Sequence, residues 1–360
     1  MKLKQRICAL IFVCCLFLCG CTSPVTTSIK TDKNYVAPTT KPPQKEDIKI
    51  PIRENGVITL SLGFSTNSED TRAISSQKFK EDVEAGTKGT VKIDIYSDSQ
   101  LGSDNDLIAK VVRGQVDMTI SSAGNFSNYV KYEGVSALPF LFDSFEAAWK
   151  FMDSEIVQKI DEELLDYNIR VLAHFDNGFR CVTTSDIPIN TLSDMKQLTI
   201  RTPNNPIIKE TMSELGASPM MLDFDKLKEA LKEGKFNSQE NPIPIIYNNK
   251  LYEVQNHLAI TNHSYDAMPF VISDGAWQML TKEEQRVILQ AASDAQIQNR
   301  QLVKTQTEQY IDKLVKECGM TVTYPNLGEF KNAVLNVPNF FCYDDELMNS
   351  VNAFLQRNKQ

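Results

Sequence analysis

An α/β fold is what this 360-residue sequence predicts, and three observations predict it. Strand and helix signals alternate from residue 58 to residue 120 at the spacing of parallel βαβ units. Polar strand ends pinned by proline recur, at Ile200-Arg201-Thr202-Pro203 and at Gln239-Glu240-Asn241-Pro242. With the N-terminal segments set aside, about 300 residues remain, enough for two medium lobes.

The N-terminus speaks to compartment. Lys2, Lys4 and Arg6 precede an apolar run over residues 7–18, too short for an ordinary membrane span, which reads as a secretory signal. Leu18-Cys19-Gly20-Cys21 is similar to a lipobox, which implies a signal of residues 1–20 and a diacylglycerol on the Cys21 thiol. Two acyl chains anchor stably where one is marginal. The chain is therefore expected outside the cytoplasm as a membrane-anchored lipoprotein.

Losing residues 1–20 lowers Lys plus Arg from 38 to 35 against 46 Asp plus Glu, a net charge of −11. An acidic surface argues against nucleic acid as a partner. Cys8, Cys14, Cys15 and Cys19 belong to the signal and Cys21 to the lipid. Cys181, Cys318 and Cys342 remain, without metal-ligand spacing and with room for one disulfide, Cys318 with Cys342. Residues 21–53, rich in Thr, Ser, Lys and Pro, read as a flexible tether.

The elements follow in order. Residues 58–64 alternate apolar and polar and predict a strand. A helix over 71–85 carries Ala73, Ile74, Phe79 and Val83 on one face. A strand at 91–96, a helix at 104–113 and a strand at 116–120 complete the βαβ run. One helix is expected over 144–167, then a strand at 171–175 that reaches Asn177-Gly178-Phe179-Arg180 and continues at 182–184. Asn205 reads as the N-cap of a helix over 206–215, with Pro206 at the first helical position. Asp223 reads as the N-cap of a helix over 224–233. Strands are expected at 258–261 and 268–273. A long helix from 281 to about 318 opens on a Thr281/Glu284 capping box, and a strand at 320–324 follows.

Arg201 thus falls at a strand end and just ahead of a helix N-terminus, a place that favours an anion. Its planar fork of donors suits a carboxylate or a phosphate.

Five motifs then fall in sequence: Asn177-Gly178-Phe179-Arg180, Leu198-Thr199-Ile200-Arg201-Thr202-Pro203, Leu215-Gly216-Ala217-Ser218-Pro219, Gln239-Glu240-Asn241-Pro242, and Tyr252-Glu253-Val254-Gln255 with Thr261-Asn262-His263. In this order and spacing they resemble the solute-binding proteins of tripartite ATP-independent periplasmic (TRAP) transporters, the DctP-like family, across residues 57–330. The resemblance implies a two-lobed periplasmic-binding-protein-like fold with an interlobe cleft, crossing hinge strands and a long bracing helix. Lobe I would hold residues 54–177 plus about 266–305, and lobe II residues 178–265 plus about 306–360. Arg201 would pair bidentately with a ligand carboxylate, with Arg180 and Asn241 as further donors. Asn177 and Asn204 would lie beside them and Phe224 would form an apolar wall.

Sialate-binding members carry an Asn after the first strand and a Glu and an Arg after the third. The matching positions here are Ser65, Ser122 and Asn125, which argues against sialic acid and leaves C4-dicarboxylates and sugar acids. Those three side chains suit the hydroxyls of a sugar acid. Gln239, Glu240 and His263 read as structural residues. One hydrogen bond to a charged group contributes about 1.5–3 kcal/mol net, whereas micromolar affinity needs about 8 kcal/mol. Several donors and a cleft that excludes water are therefore needed.

The expected function is capture of an organic acid and its delivery to the small and large membrane subunits of a TRAP-type transporter. A ligand-binding sensor for a signalling receptor is the alternative. The chain is expected to act as a monomer, without cofactor or metal. No enzyme is expected, since the sequence holds neither a Gly-x-Ser-x-Gly elbow nor a His-Glu-x-x-His site, and no phosphate loop.

Overall fold

Two strands far longer than the rest carry the architecture. The computed structural model describes residues 40–341 and 343–358, so the expected signal, the expected lipid site Cys21, and Cys342 of the expected disulfide lie outside the described residues. Among those described, Cys181 and Cys318 are free thiols. The strands are β1 (Arg53–Glu54), β2 (Val57–Gly63), β3 (Val91–Tyr96), β4 (Met118–Ile120), β5 (Ile169–Thr184), β6 (Thr199–Thr202), β7 (Ser218–Met221), β8 (Ser238–Pro242), β9 (His257–Ser273) and β10 (Thr321–Thr323). They lie in the order β1-β2-β4-β9-β5-β8-β6-β7, with β3 on β2 and β10 on β9.

β5 and β9 run antiparallel from the Ile169–Ser273 pair to the Thr184–His257 pair. β4 pairs with the C-terminal part of β9, and β8 pairs with Arg180–Thr184 of β5. The two long strands therefore cross from one lobe of the α/β fold to the other. In the sequence β9 reads as two separate strands and β5 as a strand interrupted by a turn at residues 177–180, because the polar residues between the apolar runs look like loops. They are buried instead: Asp176, Asn177, Arg180, His263 and Asp266 are each less than a tenth exposed. The expected parallel βαβ run is present, with β2 parallel to both β3 and β4.

The helix Lys282–Lys316 opens on the Thr281/Glu284 capping box. Ile288, Ala291, Ala292 and Ala295 bury against the core beneath β2 and β3, and Leu314 joins a second core with Leu258 and Phe236. One helix thus braces both lobes. It is also fastened to β5 where that strand's register slips. Gln296 Oε1 accepts from His174 N at 2.7 Å and Asn299 Oδ1 accepts from Asp176 N at 2.6 Å. Backbone donors left unpaired by the bulges are satisfied by the helix. At the Asp176/Gly178 shift, Gly178 has φ +107°, and a Cβ there would lie 3.2 Å from Val303 of the same helix.

Three expectations need correction. The helix over 144–167 is two helices, Phe145–Met152 and Glu155–Glu163, with a 3-10 turn over Leu164–Tyr167. The break falls at Asp153, whose carboxylate is drawn to Arg300 at 2.7 Å. Asp223 makes no N-cap bond. Its oxygens accept from Asn204 and Lys226 instead, and the segment after it starts as a 3-10 turn before the helix Leu227–Lys232. β7 has no counterpart among the expected strands, since Pro219 within Ser218–Met221 argues against one. The proline is tolerated because β7 ends the sheet order.

Candidate functional site

β6 lies between β7 and β8, parallel to both. Its C-terminal end is the place where open α/β sheets bind ligands, and Arg201 sits there. Pro203 stops the strand, and Asn205 caps the helix Pro206–Glu214 by accepting from Ile207 N and Ile208 N, as the sequence implied.

Arg201 is 2% exposed. Its Nε and Nη2 donate to the Leu222 carbonyl at 2.8 and 2.6 Å, and the Phe224 ring centroid lies 6.0 Å from Cζ. Among the described residues no carboxylate forms an ion pair with it. Burial brings its pKa down to about 10, with Glu240 opposing that shift from a distance. It remains a cation at neutral pH and is short of an anion.

Arg180 is the reverse case. Its Nε donates to Glu240 Oε2 at 2.5 Å, Nη1 to Asp266 Oδ2 at 2.5 Å, and Nη2 to Glu240 Oε1 at 2.8 Å and to Asn241 Oδ1 at 3.1 Å. Burial works against its charge, but Glu240 and Asp266 outweigh burial and hold the cation more firmly than usual. Burial likewise raises Glu240, and Arg180 and His263 outweigh it, so its pKa falls below the ordinary carboxylate range. His263 Nε2 lies 3.2 Å from Glu240 Oε2 and its Nδ1 lies 2.9 Å from Thr261 Oγ1. Because a carboxylate only accepts, Nε2 carries the proton on that side. Asp266 Oδ2 accepts from Ser122 Oγ at 3.1 Å and Asn177 Nδ2 at 2.8 Å as well.

These residues enclose one cavity. Ser65, Ser122, Asn177, Arg180, Arg201, Phe224 and Asn241, all expected from sequence, line it together with Asn125. Asn204 does not line it, since Asp223 holds its amide at 2.6 Å. The hydroxyl protons of Ser65 and Ser122 are committed to Asp104 and Asp266, and Asn241 Nδ2 donates to Gln239 at 2.6 Å. Among its fully buried side-chain atoms, the Thr66 hydroxyl and Asn125 Oδ1 have no hydrogen-bond partner. The space is closed down to about 30 Å³, room for a water or two. At its mouth a cavity of about 460 Å³ shares Ser65 and Phe224 with it. There Asn67 Nδ2 donates to Asn248 O at 3.1 Å and to Asn249 Oδ1 at 3.2 Å.

Sequence reasoning missed Thr66, Arg72 and Asp104 on the cavity wall. Arg72 carried a signal. An arginine in the first turn of a helix, here Thr71–Gly86 after the Asp70 cap, opposes the helix dipole and calls for a reason.

A buried guanidinium awaiting an anion, between two lobes joined by crossing strands, defines a binding protein that closes on an acidic solute. The chain belongs to the bacterial extracellular solute-binding proteins of family 7, the DctP family, whose model matches residues 62–343. These are the solute-binding components of TRAP transport, binding proteins and not enzymes. The chain is 31% identical over 264 residues to the 2,3-diketo-L-gulonate-binding periplasmic protein YiaO of Escherichia coli, covering 73% of this chain and 80% of that one. It is 30% identical over 281 residues to the sialic acid-binding periplasmic protein SiaP of Vibrio cholerae, covering 78% and 87%. Among solved structures, a TRAP solute-binding protein of Polaromonas bound to D-erythronate superposes with a TM-score of 0.79 at 30% identity, covering 82% and 98%.

Proposed function

We propose that this chain captures a small carboxylate-bearing solute, a C4-dicarboxylate or a sugar acid, and delivers it to the small and large membrane subunits of a TRAP-type transporter. One observation carries the reading. Arg201 is buried, donates to a backbone carbonyl through two nitrogens and has no carboxylate partner among the described residues. A buried unpaired charge is costly, and a ligand carboxylate removes that cost. Relatives support the ligand class, with gulonate, galactonate and D-erythronate bound in solved structures.

Arg201 acts as the primary partner of the carboxylate, and Arg180, fixed by Glu240 and Asp266, shapes the site behind it. Asn177, Asn241, Ser65 and Ser122 orient the ligand, and Phe224 covers it. Residues 54–177 plus about 266–305 move as one lobe and the remainder of the globular chain as the other, with β5 and β9 as hinge. A lipid on Cys21 keeps the protein at the membrane, next to its transporter. Calorimetric titration with a panel of sugar acids and dicarboxylates tests the reading, and binding of one of them at micromolar affinity is expected. No binding across the panel would refute it. Radiolabelled palmitate incorporation, lost in Cys21→Ala, tests the anchor separately.

A further inference from the structure

The two sides of the cavity carry different charge. On the β6 side two buried acids, Glu240 and Asp266, balance two guanidiniums, but both acids bond Arg180, which leaves Arg201 without a carboxylate partner among the described residues. On the opposite wall Arg72 faces two acids. Asp70 Oδ1 lies 3.3 Å from its Nε, and Asp104 Oδ1 lies 4.0 Å from its Nη1. That wall therefore has one negative charge more than it has positive. Asp104 lines the cavity, and its hydrogen bonds converge on one oxygen: Ser65 Oγ donates to Oδ1 at 2.9 Å and Ser121 Oγ at 3.1 Å. Its Oδ2 accepts no hydrogen bond from the described residues. Asp104 is also close enough to act on Arg201 across the cavity. Beside it stand the unpartnered Thr66 hydroxyl and Asn125 Oδ1.

We propose that Asp104 is a specificity residue which makes the site accept singly charged, hydroxyl-bearing acids and reject dicarboxylates. A carboxylate oxygen only accepts hydrogen bonds. Facing Arg201 across a narrow cavity, it receives a ligand hydroxyl well and a second ligand carboxylate badly, because like charges brought within a few ångströms repel, although the Asp104 side chain keeps 23% exposure. Thr66 and Asn125 extend the same wall as further partners for hydroxyls. Rejection here works through an opposing charge, which is how binding sites exclude close analogues that would otherwise fit. The inference rests on the assignment of Arg201 to the ligand carboxylate and adds the charge rule of the facing wall.

Erythronate and succinate form a matched four-carbon pair, one with a single carboxylate and three hydroxyls, the other with two carboxylates. Titration calorimetry compares them, together with five- and six-carbon aldonates and malate, on the full mature chain and on Asp104→Asn and Asp104→Ser. The native protein is expected to prefer the best-bound aldonate over either dicarboxylate by at least 100-fold. Both variants are expected to lower that ratio tenfold or more, through weaker aldonate and stronger dicarboxylate binding. A folding defect lowers both affinities together and leaves the ratio alone, so the ratio separates selectivity from stability. Equal or tighter dicarboxylate binding by the native protein overturns the proposal without any variant. So does an unchanged ratio in a folded variant, while Arg201-dependent binding of acids leaves the broader function intact. If no acid binds at all, the assignment of Arg201 falls and this inference falls with it.

Discussion

Arg180 holds both buried carboxylates that face the β6 side of the site, Glu240 and Asp266, and Arg201 holds neither. The two guanidiniums share one cavity but have opposite tasks. Arg180 is already neutralised and rigid; Arg201 is poised for a ligand.

The Arg180–Glu240 pair is buried on both sides, at 4% and 0% side-chain exposure. Removing one partner of such a pair leaves an uncompensated charge, at a cost on the order of 3–5 kcal/mol. Glu240→Gln is expected to lose that much stability in urea unfolding at pH 7. The sign with pH follows from Glu240's lowered pKa. Its contribution is present above the unfolded carboxylate pKa and is lost as pH falls through the folded value. The gap between native protein and variant should therefore shrink in strong acid.

Asp176 behaves in the opposite sense. It accepts from Trp149 Nε1 at 2.7 Å, yet burial pushes its pKa up to about 7. A raised folded pKa gives stability that is complete below about pH 4 and is lost as pH rises to about 7. Asp176→Asn keeps an acceptor for Trp149 and has no charge to bury. It should match the native protein near pH 4 and exceed it at pH 8, by about 1.4 kcal/mol for each pH step of one between the unfolded and folded pKa. Thermal melts across that range check it; equal stability at pH 8 would contradict it.

Gly124 tests closure. A Cβ on it would stand 1.8 Å from Asn205 Nδ2, the N-cap of the helix after β6. Gly124→Ala cannot keep this contact and must hold the cleft partly open. Ligand affinity is expected to drop at least tenfold, about 1.4 kcal/mol, with little change in the melting of the ligand-free protein. Asn205→Ser, which keeps a capping oxygen and removes the obstructing amide, should restore part of the affinity to the double variant.

The fold class was legible because period-two strands and amphipathic helices leave a local signature, and Gly, Pro and Asx residues mark their ends. The long helix was legible down to its Thr281/Glu284 cap. Continuity of β9 was not, because a hinge strand buries polar residues that look like loop in one dimension. Arg201 stood out through its place at a strand end, while Arg180 and the amides of the site came from the family resemblance. Their pairings did not stand out: whether Arg180 or Arg201 takes Glu240 depends on the β5–β8 register, in which Val182 faces Glu240 and Cys181 faces Asn241. Asp104 escaped notice because an acid in a first helical turn is ordinary, whereas Arg72, set against the helix dipole, was the legible one of the two.

Binding of an aldonate to the native protein and to Arg201→Ala and Arg201→Lys, measured side by side by titration calorimetry, bears most directly on the central claim. Two charge-assisted hydrogen bonds are lost in the alanine variant, about 3–6 kcal/mol, so affinity should fall at least 100-fold. Lysine keeps the charge but not the planar fork and should recover only part of it. Equal affinity of the native and alanine proteins would contradict the account of Arg201 as the partner of the ligand carboxylate.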